Sequence, residues 1–212
     1  MKIYKNFISF EGIDYSGKST QIQELQKRLQ DNGIETIVLR EPGGTPISEK
    51  IRDLLLSNDH SEMHRITEFL LYEAARAQLV HQKILPLLDK NIHIIADRFY
   101  DSTTAYQGYG RKLNLEVIQT INRFATSNLQ PFKTFFIDIS PEEAEKRHQY
   151  QNRNKDRLEK SGLQFYQLIR AGFTQMCRKE PERFIRIEGE RKSAEIAGEI
   201  WTHISRLWPV KT

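Results

Sequence analysis

Cysteine is nearly absent. The chain has one, Cys177, among 212 residues. A single thiol excludes a disulfide within the chain and points to a reducing compartment. Long apolar runs are missing too: nothing approaches the roughly 20 residues that a membrane-crossing helix needs. The opening Met1-Lys2-Ile3-Tyr4-Lys5-Asn6 has no signal-peptide apolar stretch. The expectation is a cytoplasmic protein. No internal repeat, low-complexity tail or isolated block of like charge is visible, which leaves solenoids and nucleic-acid-binding arms without support. Charged residues are 28% and hydrophobic residues 38%, the balance of a folded chain. The length suits one domain, 1–212, with enough chain for a sizeable core. The net charge is +4 and the isoelectric point about 9.1. A basic balance fits nucleic acid, a membrane surface or small polyanionic substrates, and the small-substrate reading is preferred.

What the chain does have is a phosphate-binding pattern. Gly12-Ile13-Asp14-Tyr15-Ser16-Gly17-Lys18-Ser19 fits G-x-x-x-x-G-K-[ST]. The apolar run Phe7-Ile8-Ser9-Phe10 precedes it, and a helical pattern with Ile22, Leu25 and Leu29 on one face follows. Strand, glycine loop and helix in that order separate it from an ordinary glycine turn. The glycines let backbone N–H groups close on a polyphosphate, and the helix adds the positive end of its dipole. The cradle from Gly12 to Thr20 is expected to take a nucleoside triphosphate, with Lys18 on the β- and γ-phosphates and the Ser19 hydroxyl on Mg²⁺.

Further along, Asp31-Asn32-Gly33 stops the first helix, and Ile34 to Leu39 predicts a second buried strand. It runs into Arg40-Glu41-Pro42-Gly43-Gly44-Thr45-Pro46. Arg40 stands at the carboxyl end of that strand, the edge where open α/β sheets bind ligands, and its planar fork suits a second phosphate. Taken alone, a solvated arginine in a surface turn is the simpler reading. The pattern then predicts a helix from Ser48 to Ser57 and a long one from Ser61 to Leu88. On the long helix Phe69, Tyr72 and Arg76 share a stripe, beside a core stripe of Leu70, Ala74, Ala77 and Ile84. Tyr72 and Arg76, one turn apart, suit the face and edge of a planar base, although in isolation an amphipathic helix explains them better. The strand from Ile92 to Phe99 carries Asp97 and Arg98 at its end. The first is a carboxylate to help hold Mg²⁺ and the second a cation for phosphoryl charge, with a strand-end ion pair as the alternative. Ser102 to Arg111 is dense in hydroxyls, an amide and aromatics, a fit lining for a sugar and base pocket.

Together, F-E-G-I-D-x-S-G-K-S-T from Phe10, R-E-P-G-G-T from Arg40, L-Y-E-A-A-R from Leu71 and D-R-F-x-D-S-T-x-A-Y-Q-G from Asp97 resemble the thymidylate kinases. These are nucleoside monophosphate kinases that transfer the γ-phosphoryl group of ATP to dTMP. The match runs from Phe10 to about Phe173. The resemblance implies Asp14 near the acceptor's sugar and phosphate, and Arg40 and Arg98 on the dTMP phosphate. Tyr72 stands where the family commonly stacks a Phe on thymine, and Arg76 where an arginine meets thymine O4. Tyr106 stands where the family has an aromatic under the sugar that disfavours a ribose 2′-hydroxyl, and the resemblance implies that Gln107 and the Ser102–Thr103 pair complete the wall. Tyr in place of Phe keeps the stacking face and adds a hydroxyl that needs a partner. Mg²⁺, ATP as co-substrate and a homodimer through the long helices come with the same resemblance.

A helix from Glu116 to Ser127 and a strand from Thr134 to Ile139 are followed by Ser140-Pro141-Glu142-Glu143, which reads as a capping box. From Glu145 to Lys160 six cations stand against three acids. A solvated helix end is the plain reading; in the family this stretch, about 145–160, is a lid that closes over ATP and excludes water. Some family members carry an arginine inside the phosphate loop, but here Tyr15 and Ser16 fill its middle. The resemblance therefore assigns charge neutralisation to the lid, Arg153 first and Arg147 second, with stacking on adenine as the other role for Arg147. Asp156-Arg157-Leu158-Glu159 resembles the family's D-R-[IF]-E, so Asp156 and Glu159 are expected to orient lid or substrate groups. A helix from Leu163 to Cys177, a strand from Arg183 to Ile187 and a helix from Ser193, read as its cap, to Leu207 complete the chain. The loop Glu188 to Lys192 lies where the family packs adenine.

Strands alternating with helices predict an α/β fold with a parallel sheet covered on both sides. The resemblance implies the P-loop NTPase-type five-stranded order 2-3-1-4-5. Two other functions fit parts of the pattern. One is a kinase of the same fold acting on another nucleotide or a deoxynucleoside. The other is a phosphate-loop ATPase working on nucleic acid, for which no recognition module appears.

Overall fold

Short apolar strands joined by helix-length segments cannot pair as hairpins, so each must return to the sheet through a crossover. A computed structural model, describing residues 1–151 and 154–208, shows that arrangement. The strands are β1 (Lys2–Glu11), β2 (Thr36–Arg40), β3 (His93–Asp97), β4 (Leu129–Asp138) and β5 (Phe184–Glu188). They form one parallel sheet in the order β2-β3-β1-β4-β5. The register aligns Arg40 with Asp97, and Asp97 with Phe10. The strand ends that carry Glu11, Arg40 and Asp97 therefore open on one edge.

Alternation along β1 sends Ile8 and Phe10 to one face and Phe7 to the other. The first face packs on α1 (Lys18–Asp31) and α9 (Ser193–Leu207) through Ile22, Leu25, Leu29, Ile200 and Ile204. On the second, Phe7, Leu39 and Ile94 meet Leu79, Val80, Ile84 and Leu88. A third cluster joins Phe136 to Phe165, Ile169 and Phe173 of α8 (Leu163–Lys179). The strand predicted from Ile34 is only half-buried as β2, because it lies at the sheet edge.

The remaining helices are α2 (Pro46–Leu56), α3 (Arg65–Leu79), α4 (Leu85–Asp89), α5 (Tyr100–Thr103), α6 (Leu115–Ala125) and α7 (Pro141–Gln151). The predicted helix from Ser61 to Leu88 is broken. Residues 61–64 are not helical, and a π-turn, Val80–Ile84, separates α3 from α4. Pro86 lacks the N–H that would bond one turn back, and its ring crowds the carbonyl four residues earlier; the wider turn absorbs both. The predicted core stripe also differs, since Leu70 and Ala74 face outward. The buried side of α3 instead carries Glu68, Phe69, Glu73, Ala75, Arg76 and Leu79, charge included, because it walls a cavity.

Two caps differ from expectation. Ser193 is the first residue of α9, after Lys192, and its hydroxyl accepts from Gln21 Nε2 at 2.9 Å. At α7, Ser140 Oγ accepts the Glu143 N–H at 3.2 Å, but Ser140 N–H donates to Glu190, not to Glu143. Glu143 is occupied by Arg147 at 2.8 Å.

Candidate active site

Between β1 and α1 the chain must reverse around whatever the loop holds, and two glycines permit it. Gly12 has φ 147°, and a Cβ there would stand 2.5 Å from the Ile137 carbonyl; Gly17 has φ 92°. Neither position takes an L side chain without strain. Lys18 folds over the loop, its Nζ 3.1 Å from Gly12 O, 3.0 Å from Ile13 O and 3.3 Å from Ser16 Oγ. Burial, with Arg98 as a like charge, pushes the Lys18 ammonium down to about 8. Ser19 Oγ lies 3.3 Å from Asp97 Oδ2, so β3 delivers its carboxylate to the hydroxyl at the start of α1. Tyr15, also left-handed at φ 63°, rests its ring edge-on against His148 of α7.

Arg98 is the centre of the arrangement. It takes φ 72° straight after β3, a conformation that costs a non-glycine residue about 1–3 kcal/mol. Its N–H is held by Phe10 O at 3.0 Å. Its guanidinium donates to Gly12 O at 2.8 Å, Ser102 Oγ at 3.1 Å, Asp14 Oδ1 at 2.7 Å and the Tyr106 hydroxyl at 3.2 Å. The ion pair is therefore with Asp14, across the loop, and not with neighbouring Asp97. Asp14 Oδ2 accepts from the hydroxyls of Tyr106 and Tyr166, each at 3.0 Å. Burial alone would raise Asp14, but Arg98, Lys18 and the two hydroxyls outweigh it and hold the carboxyl below its usual range.

Two cavities flank this centre. The larger, about 650 Å³, runs over the loop from Asp14 to Gln21 and is closed by Arg40, Asp97, Arg147, Tyr150, Gly189 and Arg191. The smaller, about 250 Å³, is lined by Tyr72, Arg76, Ser102, Thr103, Tyr106 and Gln107, and by Asp156, Leu158 and Glu159. Four residues line both: Asp14, Glu41, Arg52 and Arg98. The cavities meet at a ring of two carboxylates and two arginines.

The wall of the smaller cavity is pinned from behind. Arg76, 2% exposed, donates from Nε to Glu41 Oε2 at 2.7 Å and sets Nη2 against the same oxygen as an ion pair, also at 2.7 Å. Its Nη1 pairs with Glu73 and donates to Thr103 Oγ1 at 3.0 Å. Gln107 donates from Nε2 to Glu68 at 2.9 Å, and Glu68 is held in turn by Arg111 and Arg157. Burial lifts Glu41 to about 7 against the pull of Arg76. Asp156 Oδ1 caps the N–H groups of Leu158 and Glu159, which folds that segment onto the cavity. The Tyr72 hydroxyl, added relative to Phe, makes no hydrogen bond among the described residues.

The structure thus brings together Asp14 to Thr20, Tyr72, Arg76, Asp97, Arg98, Ser102, Thr103, Tyr106 and Gln107 around two adjoining spaces, while Gly12 and Ile13 line neither. Arg40 stands at the carboxyl end of β2, as the sequence places it. It lines only the larger cavity, half-exposed, with Nη2 2.9 Å from Glu49. Arg147 lies over the loop, where it donates to Tyr15 O, Ser16 O and Gly189 O. Arg153 lies outside the described residues. Sequence reasoning missed Arg52 and Tyr166. Nothing in one sequence marks a helix arginine as the one that turns toward a junction; Tyr166 follows the core residue Phe165 and so falls off the apolar stripe that was read.

Comparison with known proteins now applies to a defined site. The family model described as thymidylate kinase matches residues 10–200. The chain belongs to the thymidylate kinase family. Its relatives include a thymidylate kinase of Chlorobaculum parvum, 45% identical over 208 residues, covering 94% of this chain and 95% of that one. Another, from Caldanaerobacter subterraneus, is 48% identical over 183 residues and covers 86% of each chain. Among solved structures, the thymidylate kinase of Ehrlichia chaffeensis superposes with a TM-score of 0.76 at 30% identity, over 94% of this chain and 97% of its own. The family fold and the sheet order found here agree. Among the described residues no helix is long and apolar enough to cross a membrane.

Proposed function

We propose that the chain transfers the γ-phosphoryl group of Mg·ATP to the phosphate of dTMP, giving dTDP and ADP. The observation that carries this reading is the meeting of a phosphate-loop cavity with a base-sized cavity at Asp14, Glu41, Arg52 and Arg98. ATP fills the larger space along Asp14 to Thr20, and dTMP the smaller. An oxygen of the acceptor phosphate attacks the γ-phosphorus in line as the bond to the ADP oxygen breaks. Arg98 and Arg52 hold the acceptor's charge, Lys18 follows the transferring group, and Arg153 and Arg147 add charge from the lid. The acceptor phosphate is already ionised near neutral pH, so positioning and electrostatics supply the rate. The paired Ser19 hydroxyl and Asp97 carboxylate are hard oxygens of the kind that would hold Mg²⁺. When bound, the ion neutralises phosphoryl charge.

Base choice follows from counting donors. Arg76 has five N–H groups: Nε donates to Glu41 and Nη1 to Glu73 and Thr103, while Nη2 is set against Glu41 as an ion pair. One Nη2 N–H is left for a base carbonyl. Gln107 spends its nitrogen on Glu68 and keeps its oxygen for a base N–H. A carbonyl beside an N–H is the edge of thymine and uracil; cytosine would set an amino group against the arginine. Tyr72 supplies the stacking face.

In this reading 1–212 acts as one unit in the cytoplasm, with no nucleic-acid partner. A second copy covers the face where the neighbouring helices α2, α3 and α6 expose Leu54, Ile66, Leu70, Val117 and Phe124; sedimentation of a monomer at micromolar concentration would remove that element. The function itself is tested by coupled ADP release with dTMP, dUMP, dCMP, dGMP, UMP and thymidine. A clear preference for dTMP supports it. Turnover on another acceptor alone, or only on DNA, replaces it.

A further inference from the structure

Glu11 closes β1, immediately before the loop, and is wholly buried. It lines neither cavity and forms no ion pair among the described residues; Asp101, whose charge acts on it, is spent on Arg183 at 2.6 Å. A buried carboxyl without a cation is costly unless its hydrogen bonds are needed. Both of its oxygens are engaged, and both partners lead to Arg98. Oε1 accepts the Phe99 N–H at 2.7 Å, and Oε2 lies 2.5 Å from Ser102 Oγ. Phe99 is the residue after the left-handed Arg98, so β1 grips the turn twice: Phe10 O on the Arg98 N–H and Glu11 on the next. The Ser102 hydroxyl in turn accepts from Arg98 Nη1.

We infer that Glu11 is a positioning residue for phosphoryl transfer. Its carboxyl fixes the turn and the hydroxyl that hold the Arg98 guanidinium across the junction of the two cavities. This rests on the acceptor reading above. Burial, reinforced by Asp101 and opposed by Ser102, Arg98 and Phe99, pushes Glu11 up to about 8, a direction that favours the protonated acid, which hydrogen-bonds as a carboxamide would. Glu11→Gln keeps the Phe99 bond on its oxygen and meets Ser102 Oγ with its amide N–H, the hydroxyl turning from donor to acceptor; Glu11→Asp, one methylene shorter, cannot span the two partners.

The test is a double-variant cycle on kcat and KM for each substrate. Glu11→Asp should lose about 100-fold in kcat/KM for dTMP with the KM for ATP unchanged, as expected for a displaced phosphate-holding group. Glu11→Gln should stay within about 3-fold of wild type. In an Arg98→Lys background the Glu11→Asp change should cost less than about 3-fold, because the group it acts through is gone. The inference is overturned if the losses simply add in that background. It is equally overturned if the KM for ATP rises in step with that for dTMP, or if Glu11→Gln is no better than Glu11→Asp. Should Glu11→Asp fail to fold, Ser102→Ala interrupts the same chain one bond later and is read in the same cycle. A wild-type chain that takes another monophosphate overturns the acceptor reading, and the same ratios on that acceptor still decide the role of Glu11.

Discussion

The two cavities are built in opposite ways. The larger is made of backbone: glycine-permitted N–H groups, a helix end and side chains such as Ser19, Thr20 and Arg40 that stay open to solvent. The smaller is made of side chains locked by partners behind them, with Arg76 between Glu41 and Glu73, and Gln107 on Glu68. A triphosphate is the same on every nucleotide, so a backbone cradle suffices for it. A base has to be told from other bases, and rigid, oriented donors are needed for that.

The largest effect should come from the buried lysine of the larger cavity. Lys18→Ala is expected to lower kcat by at least about 1,000-fold, as loss of a principal stabiliser of transferring charge does, while the melting temperature stays near that of the wild type; steady-state turnover and a thermal scan check both.

Arg76→Ala should break the smaller cavity in a second way, through stability. Removing the cation strands Glu41 and Glu73 together inside the protein, at a cost of about 3–5 kcal/mol. Denaturant titration should register that loss, and the KM for dTMP should rise with little change in that for ATP. The contrasting substitution is Arg40→Ala. Its pair with Glu49 is over 40% exposed on both sides, so stability should move by less than about 1 kcal/mol in the same titration.

Proton linkage sharpens the contrast. Glu11 has its folded pKa raised above the ordinary 4.5. Between that value and about 8 the unfolded chain has released a proton that the folded chain keeps. The stability contribution is intact at low pH and lost as pH rises through this window, by up to about 1.4 kcal/mol per unit. Glu11→Gln should therefore flatten the fall in stability from pH 5 to 8; an unchanged slope would place the carboxylate in its ionised form. The smallest effect expected is that of Tyr166→Phe, which removes one of the three donors on Asp14 and should lower kcat/KM for dTMP by about 5-fold, the worth of one hydrogen bond.

This contrast also explains what was legible in the sequence. The glycine loop announces itself because only glycine takes the φ of Gly12 and Gly17, so geometry is written as residue type. Asp97 and Arg98 stood out as charges at a strand end, while the strand order and the Tyr106–Gln107 wall came with the family resemblance. The supports did neither. Glu41, Glu73 and Glu68 carry no sign of burial in the sequence, yet they are buried, because pairing with Arg76, Arg111 and Arg157 is a long-range contact that periodicity cannot see. The same blindness put Leu70 in the core and left Arg52 unnoticed. The π-turn at Val80–Ile84 had a visible cause in Pro86, which a strictly 3.6-residue pattern passed over.

The central claim is that two substrates occupy two cavities that meet at Arg98. The direct test is a calorimetric titration of the non-hydrolysable β,γ-imido analogue of ATP, with Mg²⁺, into the protein with and without saturating dTMP. The account predicts full binding in both cases, with Kd changed by less than about 10-fold, a coupling below about 1.4 kcal/mol. Displacement of the analogue by dTMP, with an apparent Kd that climbs in proportion to dTMP, would mean one shared cavity and contradict it.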